Sequence, residues 1–396
     1  MRVKIIIAGA SISGMAASCV LGAAGHEVHV YERLAGRLQD RGAGLVVHEN
    51  LIADVTGRPS GALGAMTVTG RRVTVETESG AISRQDHPAT FGSTTWNGLH
   101  RHLTRSQSAP VTSGVAVAGV SDAGDHVEVR LSDGTTDSAD GMILADGYGS
   151  RLRSLVDPLA EPPHYEGLIL LRSVMPESAC PPEFHAAFFD DAMHLHNRPG
   201  AYGLMYTTPG PGGVAEPGRR TANAGMYLPL TQELLETAFM STDGTLRNTV
   251  PAGAWRPGAA ESLTGHLDED WDVTIRHALL WGLRHGTLMG SAIHTFRPSR
   301  IAHGRIALVG DSGHATSPIT GAGSAAALKD ALALGAALRT CASSDVGSVF
   351  DAYNRERLDS VQSLVDVGRA WSRDFLTAGV TPEDPPIVLA SAVRQP

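Results

Sequence analysis

The chain begins with two apolar runs on either side of a glycine-rich turn, in the stretch VKIIIAGASISGMAASCVLGAAGHEVHVYER (residues 3–33). The first run, residues 3–8, is typical of a strand that is buried on both faces, and residues 13–24 carry apolar side chains at helical spacing until Gly25. Residues 28–31 form a second run of strand type. We therefore predict a strand–helix–strand unit whose right-handed crossover makes the two strands parallel.

The turn itself, GASISG, has the features of a dinucleotide site. Gly9 and Gly14 stand where the chain bends and where the helix meets the strand, and the free amide groups and helix dipole of such a turn attract a pyrophosphate. Ser11 replaces the usual middle glycine, and Glu32 is spaced to accept a hydrogen bond from a ribose hydroxyl. The residues predicted to bind are Gly9, Ser11, Ile12, Ser13, Gly14 and Glu32. The alternative is a tight strand-to-helix turn without a ligand.

Length, charge and cysteine content limit the class of protein. The 396 residues predict two packed domains, or one large domain with an insertion. A net charge of -9 argues against a nucleic-acid or membrane partner. Three cysteines without zinc-type spacing predict a reduced, cytoplasmic, metal-free protein, and no stretch approaches the length of a transmembrane helix.

The middle of the chain has a different pattern from its ends. Residues 168–228 give short apolar runs broken by proline and glycine, such as LILLRSV and YGLMYTT, which predict a mostly antiparallel sheet. Residues 305–338 return to strand, turn and helix, and residues 348–375 have helical periodicity.

Two further motifs also end strands in polar loops. MILADGYGSRLR (142–153) delivers Asp146 and Gly147 at the end of an apolar run. RIALVGDSGHATSPITGAG (305–323) delivers Asp311, then a loop of small residues that ends where another helix is predicted to begin.

With these three motifs in this order, the chain resembles the class A flavoprotein aromatic hydroxylases, which use FAD and a nicotinamide cofactor. It is most similar to their 2,6-dihydroxypyridine 3-hydroxylase branch, which also has serine in the middle of the first turn. The resemblance implies an α/β fold with an α+β insertion: a Rossmann-like FAD-binding domain, a mostly antiparallel β-sheet substrate domain and C-terminal helices. The implied segments are FAD-binding 1–70, 96–165 and 296–345, a substrate-domain hairpin 71–95, the substrate domain 166–295, and a C-terminal helix and tail 346–396.

The resemblance also implies roles for individual residues. Asp311 would accept from the ribityl chain, although a helix N-cap is the alternative, and Pro318 would fix the loop against the ring. The turn formed by Gly321, Ala322, Gly323 and Ser324 would approach the pyrimidine edge of the flavin. Asp146 and Gly147 would serve the flavin and the nicotinamide cofactor, and Val117 and Arg33 would lie near the adenine and its ribose.

The sequence departs from the family at one position. The family usually has an arginine at the start of the helix whose leucines are here Leu99 and Leu103, and that position is occupied by Trp96. Arg101, one turn further along, is predicted to compensate by contacting the cofactor. A solvated charge on the helix surface is the alternative.

The implied reaction is hydroxylation of an electron-rich ring, of phenol or hydroxypyridine type, through a flavin C4a-hydroperoxide. O2 is the co-substrate, and NADH or NADPH is a transient reductant, since no second dinucleotide turn is visible. The family also implies a homodimer. The alternatives are a flavin-fold binding protein without turnover, or a halogenase or Baeyer-Villiger oxygenase, although the WxWxIP and FxGxxxHxxxW patterns of the last two are absent.

A ring of this kind reacts faster after losing a proton, so the pocket must supply a base or acceptor and exclude water. The candidates are His48, after a glycine-rich stretch, and His194, His196, Tyr202 or Tyr206 in the central sheet. Alternation places His194 and His196 on one face, and a tyrosine across the hairpin is predicted to face them. For each, a structural or solvated side chain is the alternative.

Arg172, in LILLRSV, is predicted to hold an anionic ring oxygen or a carboxylate, with a structural ion pair as the alternative. His314 is expected to shape the loop or lie beside the flavin.

Overall fold

A computed structural model describes residues 2–36, 44–58, 66–75, 82–189, 192–198, 200–241, 244–265, 267, 271 and 273–378. The strands are β1 (Lys4–Ala8), β2 (Glu27–Glu32), β3 (Gly44–Val47), β4 (Met66–Val75), β5 (Ile82–Thr95), β6 (Val111–Ser113), β7 (Val117–Asp122), β8 (Val127–Leu131), β9 (Thr136–Ala139), β10 (Gly141–Leu144), β11 (His164–Pro176), β12 (Ala192–Arg198), β13 (Ala201–Thr208), β14 (Thr221–Pro229), β15 (Thr249–Val250), β16 (Met289–Thr295), β17 (Ala302–His303) and β18 (Ile306–Leu308). The helices are α1 (Ile12–Ala23), α2 (Glu49–Thr56), α3 (Trp96–Ser106), α4 (Pro182–Phe188), α5 (Gln232–Ala238), α6 (Ala259–Thr264), α7 (Val273–Arg284), α8 (Gly323–Leu338) and α9 (Val346–Ala378).

The first sheet has the strand order β17-β18-β10-β1-β2-β6. β1 lies between β10 and β2 and is parallel to both, and β10 is also parallel to β18. Ile5, Ile6 and Ile7 are fully buried, as an uninterrupted apolar run predicts for a central parallel strand. The predicted strand–helix–strand unit is confirmed.

The second sheet has the strand order β15-β16-β11-β14-β13-β12-β4-β5-β3. Its pairs are antiparallel except for β4 with β12, so the predicted, mostly antiparallel sheet is confirmed. Strands β3 to β5 join those that follow β10, so two separate stretches of the chain form this sheet. The limits of the implied segments stay a prediction.

The two faces of the second sheet are covered differently. Residues from α5, α6 and α7 pack with one face into a buried apolar cluster. The other face carries tyrosines and leucines that pack with α9 and with Ile319, from the loop between β18 and α8. The second face is therefore the one turned towards the first sheet's loops.

The long helix α9 joins the two regions. Its buried residues, which include Phe350, Tyr353, Val361 and Phe375, recur at helical spacing, as predicted for residues 348–375. β7, β8 and β9 form a separate three-stranded sheet. Among the described helices, none has both the length and the apolar character needed to cross a membrane.

Candidate active site

Three neighbouring strands of the first sheet end at one edge, and each leads into one of the predicted motifs. β1 leads into Gly9, β10 into Asp146 and β18 into Gly310. A β-carbon at Gly310 would collide with the hydroxyl of Ser13, so the loop after β18 touches the first turn of α1. The two glycine-rich stretches, far apart in the sequence, therefore lie side by side.

The turn after β1 requires glycine at both ends. Gly9 has a φ of 104°, in the left-handed region, and a β-carbon at Gly14 would collide with the carbonyl oxygen of Gly9. Ser11 is the N-cap residue of α1, yet its side chain makes no capping hydrogen bond. Ile12 is buried behind the turn. The Ser11 hydroxyl and the amides that begin the helix are thus available to a pyrophosphate.

Glu32 is buried at the end of β2 and is held beside this turn. Its carboxylate accepts hydrogen bonds from Ala10 N at 2.9 Å and from Leu34 N at 3.0 Å. Each oxygen keeps a second lone pair for a ribose hydroxyl. Val115 N donates to Glu32 O at 3.0 Å, which brings the start of β7, at Val117, close to the same strand end.

A histidine of α3 contacts the glycine turn, close to Trp96, which occupies the position where the family usually has an arginine. The Trp96 ring stacks on His100 with centroids 4.7 Å apart, and His100 Nε2 lies 2.8 Å from Ala10 O. Because a carbonyl oxygen only accepts, Nε2 carries the proton, and burial lowers the pKa of His100. Arg101 lies on the exposed face of α3, since successive helical residues are turned by about 100°. The exposed position of Arg101 leaves its contact with the cofactor a prediction.

The carboxylate of Asp146 is only partly satisfied. Its buried Oδ1 has no hydrogen-bond partner within the described parts of the chain. Burial raises the pKa of Asp146 and outweighs a hydrogen bond from Ser150 and the charges of Arg153 and Arg33, which act to lower it. Arg33 itself is exposed, and Gly147 has a φ of 86°, which bends the chain sharply after the strand.

Arg153 is a buried cation beside this carboxylate. Its guanidinium lies 4.1 Å from the centroid of the Phe296 ring and donates to the carbonyl oxygens of Gly147 and Tyr148. Nε and Nη1 have no partner among the residues with described positions. Buried polar groups are normally satisfied, so this acid and this cation indicate a place for a polar ligand.

Asp311 lies directly after β18, at the edge where the three motifs meet. Its side chain is accessible to solvent, yet burial among protein atoms raises its pKa and outweighs the charges of His314 and Arg153, which act to lower it. The residue lies in the short 3-10 turn Gly310–Ser312 and caps no helix. A carboxylate that is both reachable and surrounded by protein is suited to the wall of a cofactor cleft.

His314 is part of a buried charge network. Its Nε2 lies 2.6 Å from Asp330 Oδ2, which also accepts from Gly310 N at 2.9 Å, and Arg357 Nε donates to Asp330 Oδ1 at 3.0 Å. Burial opposes ionisation of Asp330, but these partners outweigh it and lower its pKa. The network fixes the loop that carries Asp311 to α8 and α9.

The loop ends in a turn that exposes backbone amides. Pro318 is exposed and begins a 3-10 turn, Gly321 follows with a φ of 62°, and α8 begins at Gly323 without a side-chain cap. Ala322 is buried, whereas Ser324 is partly exposed. The uncapped amides and the positive end of α8 would favour the negative charge of a reduced flavin.

Aromatic side chains gather on the face of the second sheet that is turned towards this loop. We call the group formed by Tyr202, Tyr206, Tyr227, Trp371 and Phe375 the aromatic cluster. The Trp371 ring lies edge-on to Tyr202 and Tyr227, at 5.8 Å from each, and stacks on Phe375 at 5.1 Å. The same buried group includes Ile319 of the loop and Val46 of β3. The apolar walls would keep water from a ring bound here.

Arg172 lies beside the aromatic cluster. It is on β11, at the same alternation as Leu168 and Leu170, which belong to the buried group on this face. Its charge acts on Tyr206 and Tyr227. The prediction that Arg172 faces a pocket is compatible with this position but stays a prediction.

The candidate bases are distributed over different places. Pairing of β12 with β13 sets His194 opposite Met205 and His196 opposite Gly203. The prediction that a tyrosine faces one of these histidines across the hairpin is therefore wrong. His194 is buried on the face that α7 covers, with Met205. The His196 side chain lies outside the described residues. His48 is the partly buried N-cap residue of α2, directly after β3.

Several contributors were missed from the sequence. Tyr227 lies on β14, four residues after Asn223 and on the same face of the strand, and Trp371 lies on α9. The alternation of β14 could have indicated Tyr227. Nothing in the sequence indicates that α9 reaches the sheet. No pattern in the sequence distinguishes His100 from the other polar residues of α3. No group of residues suited to a metal ion occurs where positions are described.

Comparison with known proteins gives consistent relatives. A family described as FAD binding domain-like matches residues 165–269. An FAD-dependent urate hydroxylase of Klebsiella pneumoniae is 26% identical over 91% of this chain and 88% of its own length. A 3-amino-4-hydroxybenzoate 2-monooxygenase of Streptomyces cremeus is 28% identical over 84% of this chain and 77% of its own.

A solved structure shows the same fold. The 2,6-dihydroxypyridine-3-hydroxylase of Arthrobacter nicotinovorans superposes with a TM-score of 0.84, over 98% of this chain and 96% of that chain, at 21% identity. The predicted fold class and the predicted resemblance are both confirmed.

Proposed function

We propose that this chain, a relative of the FAD-dependent aromatic monooxygenases with their fold, hydroxylates an electron-rich aromatic ring with O2 and a nicotinamide reductant. The relatives confirm the predicted class of enzyme and its FAD. The reductant and the identity of the ring belong to the proposal. Relatives that act on urate and on an aminohydroxybenzoate support a small, oxygen-bearing ring as substrate.

One observation carries the proposal: the buried, unpaired Oδ1 of Asp146, the reachable carboxylate of Asp311 and three glycine turns line one edge of a parallel sheet, and an aromatic sheet face lies against the same loop. Asp146 Oδ1 is a buried acceptor without a described partner, and Asp311 is a solvent-accessible acceptor, so both can accept from the hydroxyls of a long cofactor. Ile319 joins this loop to the aromatic cluster. A cofactor held at the edge would therefore reach a ring on the sheet face.

The residues present fit FAD. Gly9, Ser11 and the start of α1 would hold the pyrophosphate, and Glu32 would accept from the adenosine ribose. Asp311 would accept from the ribityl chain, and the amides at the start of α8 would stabilise charge on the flavin ring. When bound, FAD supplies the activation of O2 that no side chain can provide.

The chain's own residues would prepare the substrate ring. Burial raises the pKa of Tyr206 to about 12 and also raises that of Tyr227, so both phenols stay neutral and can donate hydrogen bonds to a ring oxygen. His48 is our candidate for the group that accepts the proton of the ring hydroxyl, since it follows the strand that carries Val46 to the same buried group.

The test starts from the purified protein. We expect a yellow protein, or one that turns yellow with FAD, that oxidises NADH or NADPH faster when a phenol or hydroxypyridine is added. Mass spectrometry with labelled O2 should place one labelled atom in the product. Peroxide release, measured in parallel, separates hydroxylation from uncoupled oxidation.

Two results would contradict the proposal. A colourless protein that takes up no FAD would favour a binding protein without turnover. An FAD-loaded protein whose NAD(P)H oxidation no aromatic compound stimulates would favour the same alternative.

A further inference from the structure

Helix α3 holds a histidine against the first glycine turn. The helix begins with a side-chain cap, and its Leu99 and Leu103 are buried in the same apolar cluster as α1. The imidazole of His100 is stacked on Trp96, one helical turn earlier, with only 9° between the two ring planes. The packing of α3 therefore fixes the position of His100, and the stacking fixes the plane of its ring.

Two side chains hold Ala10, the residue between the two that begin the turn, Gly9 and Ser11. Glu32 Oε2 accepts from Ala10 N at 2.9 Å, and His100 Nε2 donates to Ala10 O at 2.8 Å. The carboxylate comes from β2 and the imidazole from α3. The two peptide units that meet at Ala10 are thus held from two different elements, and neither can rotate without losing a hydrogen bond.

The hydrogen bond from His100 determines where the next amide points. The peptide unit that joins Ala10 to Ser11 is trans, as are all those with described positions, so its C=O and N–H groups point in opposite directions. Because the oxygen of Ala10 is turned towards α3, the Ser11 N–H is turned away from that helix. It makes no hydrogen bond within the described parts of the chain. An unpaired amide at the start of a helix is suited to a phosphate oxygen.

The histidine does this as a neutral group. Burial lowers the pKa of His100 and outweighs the bond to Ala10 O and the charge of Glu32, which act to raise it. The arginine that the family usually has at the position of Trp96 would instead bring a positive charge. At this turn the chain therefore presents oriented backbone dipoles where a cation is usual.

We propose that His100 is a positioning residue for the cofactor, which orients the peptide unit between Ala10 and Ser11 so that the Ser11 amide binds the pyrophosphate of FAD. The pair formed by Trp96 and His100 replaces the arginine through the backbone and not through charge. The proposal rests on the proposed function, because it takes the glycine turn as the pyrophosphate site, and deepens it by naming the side chain that prepares this turn.

Two substitutions separate the hydrogen bond from the ring. His100→Phe keeps an aromatic ring on Trp96 and removes the donor, whereas His100→Gln keeps an N–H donor and removes the ring. The FAD-loaded proteins are diluted in steps, and the anisotropy of flavin fluorescence gives the dissociation constant. We expect His100→Phe to bind FAD roughly threefold to tenfold more weakly and His100→Gln to stay within about twofold of the parent protein. Arg105→Ala, which changes an exposed arginine of the same helix, is the control and should match the parent.

Phosphorus NMR of the FAD-loaded proteins tests the route through the pyrophosphate. At least one of the two phosphorus signals of bound FAD should shift in His100→Phe and return to the parent position in His100→Gln. A histidine that only supports the packing of α3 would weaken FAD binding and leave these signals in place.

A second pair of variants tests the amide directly, even if His100→Phe unfolds. Ser11→Pro removes the amide hydrogen at a φ of -76°, which proline adopts, and Ser11→Ala removes only the hydroxyl. We expect Ser11→Pro to bind FAD at least roughly tenfold more weakly than Ser11→Ala, because hydrogen bonds to charged groups are the stronger ones.

Four outcomes would overturn the inference: parental FAD binding in His100→Phe, equal weakening in His100→Gln and His100→Phe, phosphorus signals that do not move, or equal binding by Ser11→Pro and Ser11→Ala. The FAD content of the parent protein is measured first. If the parent binds FAD and any of these four results is found, only this inference fails. If the parent takes up no FAD, the proposed function fails.

Discussion

The cofactor edge of the first sheet and the aromatic face of the second are built from different parts of the chain. The cofactor edge uses backbone: glycines such as Gly9 and Gly14 that admit no β-carbon, and helix starts without side-chain caps. The aromatic face uses side chains, with Arg172 and the tyrosines standing on regular strands. A site built from backbone should tolerate almost no substitution. In a site built from side chains, a substitution should change which ligand is preferred and leave the structure intact.

The largest effect is expected at the cofactor edge, from Gly14→Val. The new side chain would collide with the carbonyl oxygen of Gly9 and deform the turn, so FAD binding should be lost. Flavin absorbance after gel filtration measures this. The matched control is Gly22→Ala in the same helix, where a β-carbon meets nothing, and stability should rise by about 0.5–1 kcal/mol. A Gly14→Val protein that still binds FAD would refute a backbone-built site.

The next effect concerns the network behind the cofactor loop. Asp330→Asn removes the buried carboxylate that pairs with Arg357 and lies 2.6 Å from His314 Nε2, so the free energy of unfolding should fall by about 3–5 kcal/mol. Urea denaturation measures the change. Asp366→Asn removes an exposed partner of Arg297 and should cost at most about 1 kcal/mol. Equal losses in the two variants would show that the buried network has no special role.

The second region has its own buried ion pair, whose pH dependence differs in sign from that of a histidine. Burial opposes ionisation of Glu177, but bonds from Arg220 at 2.8 and 3.0 Å outweigh it and lower its pKa to about 2. The stability it contributes is present above its ordinary pKa of 4.5 and is lost as the pH falls towards about 2.

We therefore expect the stability difference between the parent protein and Glu177→Gln to shrink from about pH 5 to about pH 3, by roughly 1–3 kcal/mol. Thermal or urea unfolding at each pH measures it. A difference independent of pH would contradict the assignment.

The smallest effect is expected where a side chain assists the cofactor edge. His100→Ala removes one hydrogen bond to Ala10 O and the stacking on Trp96, so FAD should bind roughly threefold to tenfold more weakly. Arg101→Ala should leave FAD binding unchanged. Fluorescence titration of FAD distinguishes the two variants, and the reverse order of effects would identify Arg101 as the compensating residue.

The same difference explains what the sequence could predict. Gly9, Gly14 and Gly310 are recognisable because a turn with no space for a β-carbon has few sequence solutions. The face of the sheet on which Arg172 lies follows from the alternation of its regular strand. Tyr227 and Trp371 were not predicted, because they meet only through tertiary packing of β14 and α9.

The error over His194 has a similar cause. Alternation predicts which residues of a strand share a face, but the pairing of His194 with Met205 depends on the turn that connects β12 to β13. A shift of one residue exchanges the faces of the sheet, and strand composition alone does not specify it.

α9 is one continuous helix that contacts both regions. Arg357 holds Asp330 behind the cofactor loop, and Trp371, about 21 Å further along the helix axis, stands among the tyrosines. Because α9 is anchored at both ends, its length sets the spacing between the cofactor loop and the aromatic cluster. Neither can slide along that axis without breaking an anchor.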